Sequence, residues 1–343
     1  MLQIEQSNLL IENTLGDRLY PSEENSGSAK LLDRIISDFD FTNYHISTLP
    51  DDNTKLLISV YLQCWEDLVR FGVDLYLSKK YTSYSAALTI LPASDVETGY
   101  NYSLLLDTEA AIAEGVEFSQ AMVAELALLK RNAMAAAFES AFNRYDELAQ
   151  QYSGENTYSE EIQAALQAEP TLLVRHRGDE ESIFIKPSFD RVTVVFSTTF
   201  KDDTDKIFGK VFLQEFVDAR KRSVQTAPQV LFTDKEPPLD IQDVVPRGSV
   251  SDNKGYVTFV LFPRHLTKGD RRENCISHIQ FFRNYFHYHI KCAKAYMHSR
   301  MRFRVKEFLK VLNRAKPENV DDDGKAIDTR KTASGRKFEA GRA

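Results

Sequence analysis

Cysteine is scarce in this chain: Cys64, Cys275 and Cys292 are three residues in 343, odd in number and far apart. That usage argues against a disulfide framework and suggests reduced thiols in the cytosol. No C-x-x-C pair occurs, so thiolate zinc sites are not expected. No apolar run approaches the roughly 20 residues that a membrane-spanning helix needs. The opening stretch MLQIEQSNLLIEN carries Glu5 where a secretory leader would carry Lys or Arg, and no long apolar run follows it. The phosphate loop G-x-x-x-x-G-K-[ST] is absent, as are a Gly-rich dinucleotide turn after a strand and a nucleophile elbow. These gaps remove the common enzyme signatures, and neither a cofactor nor a metal is expected. Net charge is −7, which does not favour general nucleic-acid binding. What remains, 43% hydrophobic and 27% charged residues, suits a soluble globular protein of roughly two domains.

Glycine and proline are also missing from one long segment near the C-terminus. From Glu273 to Lys316 there are 44 residues without either. As a helix that segment would measure about 66 Å at about 1.5 Å per residue. Globular helices usually run about 8–20 residues, so this length implies a partner helix or an assembly. From Ile290 to Lys316 nine Lys/Arg face one Glu, so basic charge is concentrated here while the rest of the chain is acidic. Met297, Met301, Val305, Phe308, Leu309 and Leu312 recur at spacings of three and four, which places them on one side. Arg302, Lys306, Lys310 and Arg314 step by fours along a neighbouring side. One stripe suits burial against protein and the other suits an acidic surface. The plainer alternative is a core stripe with a solvated charged face.

Elsewhere the order of elements repeats. FTNYHIS and KLLISVYL read as strands, followed by a helix from about Trp65 to Tyr81. Strands at about Ala87–Leu91 and Tyr100–Asp107 come next, and a helix from about Val116 to Gln150 closes the half. In the second half, strands near Leu172–Arg177 or Ile183–Lys186 and at Arg191–Thr199 precede a helix from about Thr204 to Arg222. Strands at Gln229–Phe232 and Tyr256–Phe262 lead into the long basic helix. The fourth strands echo each other, GYNYSLLL from Gly99 and GYVTFVLF from Gly255. The fold class is therefore α+β: two similar domains, each an antiparallel sheet covered by its long helix, and a very long C-terminal helix. The boundaries read as 1–152 for the first domain, 153–170 for a polar connector, 171–316 for the second domain and 317–343 for a polar tail. Pro317 ends the long helix, and the tail beyond Glu318, with its basic stretch Lys331–Phe338, is expected to be largely disordered alone.

Local clusters of reactive residue types have structural readings. On a helix His287 and His289 point about 160° apart, so they do not make a metal pair, and histidines on a long helix serve packing or interfaces. Asp202, Asp203 and Asp205 stand at a helix start, where capping and dipole compensation account for them.

Several stretches resemble the subunit 2 family of the actin-related protein 2/3 complex. They include DFDFTNYHIS (Asp38–Ser47), LLKRNAMAAAFE (Leu128–Glu139) and DRVTVVFSTTFKDDTDKIFGKVFLQEF (Asp190–Phe216). TAPQVLFTDKEPPL (Thr226–Leu239), GYVTFVLFPRH (Gly255–His265), YFHYHIKCAKAYMHSRMR (Tyr285–Arg302) and FLKVLNRAKP (Phe308–Pro317) continue the series. The resemblance is densest from Asp190 to Pro317 and weakest around Tyr81–Asp95 and Ser153–Pro170.

The resemblance implies a non-enzymatic scaffold in the cytoplasmic, cortical actin cytoskeleton. Its long helix would pack antiparallel against a matching helix of subunit 4. The pair would carry the two actin-related subunits and lie on the side of an existing actin filament, from which a branch grows. The residues expected in the helix seam are Met297, Met301, Val305, Phe308, Leu309 and Leu312. Those expected at or near the filament are Arg220, Lys221, Arg222, Lys310, Arg314 and Lys316, which match basic positions of the family pattern. Two other classes stand beside this reading. A nucleic-acid module would use the basic helix and bind with steep salt dependence, but exposed stacking aromatics on strands are not evident. An enzyme would need a convergent polar constellation, which the sequence does not offer.

Overall fold

The computed structural model describes residues 4–20, 31–154, 159–245 and 252–315. Lys316, Pro317 and the tail, including Lys331–Phe338, lie outside the described residues. The chain divides into two compact units, Met1–Ile290 and Lys291–Ala343.

The first unit opens with α1 (Leu9–Leu19). The Asn8 side chain accepts from the Leu10 and Ile11 amides, and Ile11, Leu15 and Leu19, four apart, are buried. Next come β1 (Asp33–Asp38), β2 (Thr42–Leu49) and β3 (Asp52–Tyr61), paired antiparallel in sequence. β2 alternates strictly between buried and half-buried residues, the signature of a sheet with one covered face. After α2 (Trp65–Arg70) and α3 (Val73–Tyr81), β4 (Leu88–Ile90) and β5 (Tyr102–Asp107) complete a sheet of order β1-β2-β3-β5-β4. α4 (Thr108–Glu114), α5 (Val116–Ala127) and α6 (Leu129–Gln151) follow. The second half begins with α7 (Glu160–Gln167), β6 (Leu172–Val174), β7 (His176–Asp179), β8 (Ile183–Pro187) and β9 (Val192–Thr199). It continues through α8 (Asp203–Arg222), β10 (Gln229–Asp234), β11 (Lys254–Leu261) and α9 (Pro263–Leu266) to α10 (Asp270–Ala315). Its sheet order is β10-β11-β9-β8-β6.

Read from their opposite ends, the two sheets have one topology. β1, β2, β3, β4 and β5 correspond to β6, β8, β9, β10 and β11. The two Gly-Tyr strands, β5 and β11, hold the same place, each between the central strand and an edge. The expected α+β class and the repeated element order are thus present, with an edge strand added at the start of each half.

Four details differ from the sequence reading. The helix expected from Trp65 to Tyr81 breaks at Gly72, whose φ of 77° lies in the left-handed region that glycine adopts without a steric cost. The helix expected from Val116 to Gln150 breaks at Leu128 without glycine or proline. There the Glu125 carbonyl accepts from the Leu128 amide at 3.2 Å, a tighter three-residue turn, and also from Tyr81 Oη at 3.2 Å and Asn132 Nδ2 at 3.4 Å. The side chains thus supplement the backbone bond where the α-helical ladder is interrupted. The connector around Ser153–Pro170 contains α7, capped by Ser159 accepting from the Ile162 amide. Finally, α6, expected over the first sheet, packs against β6, β8 and β9 of the second as well as α2 and α3. Its run Ala133, Ala135, Ala136 and Ala137 is fully buried, because small side chains allow close approach on more than one side.

The second sheet is covered by α8, α10 and an aromatic cluster. Phe259 and Phe282 lie 4.6 Å apart; Phe200 meets Phe286 and Phe212 meets Phe216 edge to face, and Phe212 lies tilted against Phe286. β9 is buried from Val192 to Thr198 on both faces. Gly255 is required here: a Cβ would sit 2.8 Å from Phe232 and 2.9 Å from Phe200. Gly255→Ala is expected to cost about 1–3 kcal/mol through overpacking, read as a lowered thermal midpoint of the assembled protein. An unchanged midpoint would show that the rings move aside freely.

The capping reading of the aspartates holds: Asp202 is the N-cap of α8 and accepts from the Asp205 amide at 2.8 Å. The helical histidines have packing partners. His287 Nε2 lies 2.7 Å from Thr198 Oγ1, and His289 stacks on Phe212 at 5.1 Å. Along α10, Ile276, Ile279, Phe282, Phe286 and Ile290 are buried; after Lys291 the character of the helix changes.

Candidate interaction surfaces

The part of α10 beyond Ile290 belongs to the second unit. Its Met297, Met301, Val305, Phe308, Leu309 and Leu312 are all exposed, Met301 at 59% and Phe308 at 63%. At about 100° per residue the first four and Leu312 fall within about 80° of arc. Leu309 turns about 40° further, so it lies at the margin of the stripe. Val311 extends the stripe on its other edge and is exposed as well. Among the described residues this apolar face is left uncovered, and an exposed apolar face of this size marks an interaction surface.

Arg302, Lys306, Lys310 and Arg314 advance about 40° around the axis with each step of four. They wind from the edge of the apolar stripe beside Leu309 to the opposite face. Lys310 Nζ pairs with Glu307 at 2.8 Å, and Arg314 is exposed. Lys316 falls outside the described residues. Tyr296 and Phe303 share the face of Lys310 and Arg314 and are about as exposed as the stripe. Arg300 donates to Tyr296 Oη at 2.7 Å and lies over its ring at 5.5 Å. The sequence reading missed these two aromatics because it followed the densest apolar face; their spacing of seven was the signal.

Arg220, Lys221 and Arg222 form the last turn of α8 in the first unit, where cations suit the helix C-terminus. Their roles separate. Arg220 Nε donates to the Ala227 carbonyl at 3.0 Å and fixes the turn that leads to β10. Arg222 pairs with Asp218 at 3.2 Å and is exposed, as is Lys221. Two of the three cations therefore present charge to solvent, while the third also braces the backbone.

The first unit also holds an interior charge network that the sequence did not reveal. Asp40 sits at the tip between β1 and β2 with φ 62°, followed by Phe41 at φ 56°. Such angles cost an L-residue about 1–3 kcal/mol and persist only when the surroundings over-determine them. Here Asp40 pairs with Lys130 at 3.2 Å and Arg177 at 3.3 Å and accepts from Asn284 at 2.8 Å. Phe41 lies under the Arg177 guanidinium at 4.8 Å. Burial pushes the Asp40 carboxyl up, but Lys130 and its other partners win and hold it well below the usual range. Glu181 is buried between Arg177 and Arg283 and accepts from the Thr199 amide at 2.9 Å. Burial opposes its charge, yet the Arg283 hydrogen bond and charge lower its pKa overall. Beside them His176 is 4% exposed, and among the described residues neither ring nitrogen has a hydrogen-bond partner. Burial pushes its imidazole down to about 4.

Asp40 and Glu181 are thus held by their cationic partners. Burial pushes the thiols of Cys64 and Cys275 up to about 12, which suppresses the reactive thiolate. Among the described residues, no group of three or more His, Cys, Asp or Glu is placed to hold a metal ion, and no helix is long and apolar enough to cross a membrane.

Residues 58–319 match the family described as "Arp2/3 complex, 34 kD subunit p34-Arc". The chain is 46% identical over 343 residues to "Actin-related protein 2/3 complex subunit 2" of Schizosaccharomyces pombe, covering 98% of this chain and 99% of that protein. It is 35% identical over 290 residues to the protein of the same name from Dictyostelium discoideum, covering 84% and 87%. Both the family match and these near full-length relatives place the chain in the p34-Arc family of Arp2/3 complex subunits.

Proposed function

We propose that this chain is a non-enzymatic scaffold subunit of an actin-related protein 2/3 complex, acting in the cytoplasm at cortical actin. The exposed apolar stripe on α10 carries the reading, because a soluble chain does not leave such a face bare without a partner. The partner is the matching helix of subunit 4, and the pair supports the two actin-related subunits. The basic residues that wind away from the stripe face the side of an existing filament, whose surface is acidic. The complex then supports growth of a branch from that filament. The two sheets of shared topology are the two domains of the scaffold.

Charge reversal tests the filament contact separately from assembly. Lys310→Glu, Arg314→Glu and Lys316→Glu together should leave the purified complex intact. Filament co-sedimentation should weaken by about tenfold, with branch density falling in step and the loss depending on salt. Lys221→Glu with Arg222→Glu should act in the same direction and additively. Arg220→Glu should in addition loosen the turn to β10, since its bond to Ala227 is structural. Unchanged branching at low and moderate salt would leave the basic residues as a solvated face.

A further inference from the structure

An apolar groove of about 920 Å³ opens on the first unit between the end of α8, the start of β10, α9 and the first half of α10. Its floor is aromatic and aliphatic, with Phe216, Phe259, Ile279 and Phe282. Its size is at the upper end of the roughly 300–1,000 Å³ typical of ligand-binding clefts. One wall is braced from within. The Phe262 amide donates to His265 Nδ1 at 3.0 Å, which leaves Nε2 to donate to the Thr226 carbonyl at 2.7 Å. The groove is thus formed before any occupant arrives.

The charge around it is mainly positive. Arg264 and Arg271 are exposed on the rim, and among the described residues lining it Glu5 is the one that is acidic. The chain's own Ile4 and Glu5 rest at one end, an aliphatic residue followed by a carboxylate. That pair is a small sample of the chemistry the groove accepts. A planar lipid surface does not reach a concave floor, whereas a peptide segment does.

We propose that this groove is a docking site for a segment of a partner protein that carries large apolar side chains flanked by carboxylates. The apolar anchors fill the floor and the carboxylates meet Arg264 and Arg271. All of its described lining residues precede Lys291, so none belongs to the exposed stripe of α10.

The test uses the assembled complex and a fluorescein-labelled synthetic peptide of about 14 residues, with Trp and Leu at helical i, i+4 spacing and Glu elsewhere. Fluorescence anisotropy should report saturable binding, at least tenfold weaker for the same peptide with Lys replacing Glu. Arg264→Glu with Arg271→Glu should weaken the acidic peptide at least tenfold and strengthen the Lys peptide. That exchange of preference is a result that misfolding does not produce. A benzophenone version of the acidic peptide should crosslink to residues of the floor. Failure of the acidic peptide to bind, equal binding of both peptides, no exchange of preference in the double variant, or crosslinks elsewhere would each overturn the proposal.

Discussion

Complexes carrying Val305→Asp are expected not to assemble. Val305 lies in the apolar arc of α10, between Leu312 and Leu309 by angle, and is exposed in the described structure. In a helix pair it would sit in the dry seam, and a carboxylate there has no counter-charge among its stripe neighbours. An uncompensated buried charge costs about 3–5 kcal/mol, a loss of roughly two to four orders of magnitude in pairing affinity. Leu309→Asp should do less, because Leu309 stands at the margin of the arc beside Arg302, where a carboxylate reaches water. Gel filtration of complexes built with each variant reads the ranking. Normal assembly of both would refute the seam, and equal loss from both would mean that the partner covers a wider arc than the stripe.

The second large effect is acid lability of the first unit. His176 is buried and neutral in the folded chain with a pKa near 4, against about 6.5 when unfolded. Between those values the unfolded state binds a proton that the folded state refuses. Stability is therefore whole above about pH 6.5 and falls as pH drops toward 4, by about 3 kcal/mol for this single group. The charged groups that face it are Asp40, Glu181, Arg283 and Arg177. Asp40 and Glu181 have depressed pKa values, so their contribution persists above the ordinary carboxylate range and is lost only at more acidic pH. Denaturation of the assembled complex at pH 7 and pH 5 should show the first loss, and His176→Gln should flatten it. A slope that survives in His176→Gln would assign the lability to other groups.

Much of the fold was legible because its strongest signals are periodic. α8 displays Phe208, Phe212 and Phe216 at spacings of four, and these pack against the core as read. β11 and β5 announce themselves as apolar runs after Gly-Tyr. What escaped was structure fixed by distant partners. β1 is an edge strand with Ile36 its single buried residue, so its pattern carries little periodicity. The break at Leu128 is braced by Tyr81 and Asn132, neither of which marks a helix end in sequence. α1 was recoverable: Asn8 caps it, and Ile11, Leu15 and Leu19 recur by fours. On the surfaces, the apolar stripe and basic steps were readable from helical spacing alone. The Asp40, His176 and Glu181 network was not, because it joins residues well over a hundred positions apart. The split within Arg220–Arg222 was hidden too, since a row of cations does not say which one holds a carbonyl.

α10 begins among buried side chains and continues through Lys291 to Ala315 as one helix. Starting a helix is the costly step, with a nucleation factor of about 10⁻³, whereas each added residue needs little more than a fair propensity. The buried turns up to Ile290 supply that start, so the exposed turns inherit a register they did not have to find. A partner arriving at the apolar stripe meets a surface already in order and has little chain entropy to overcome. Its association should then behave as rigid docking: fast, governed by encounter geometry, and with a heat-capacity change set by the area covered and not by helix formation.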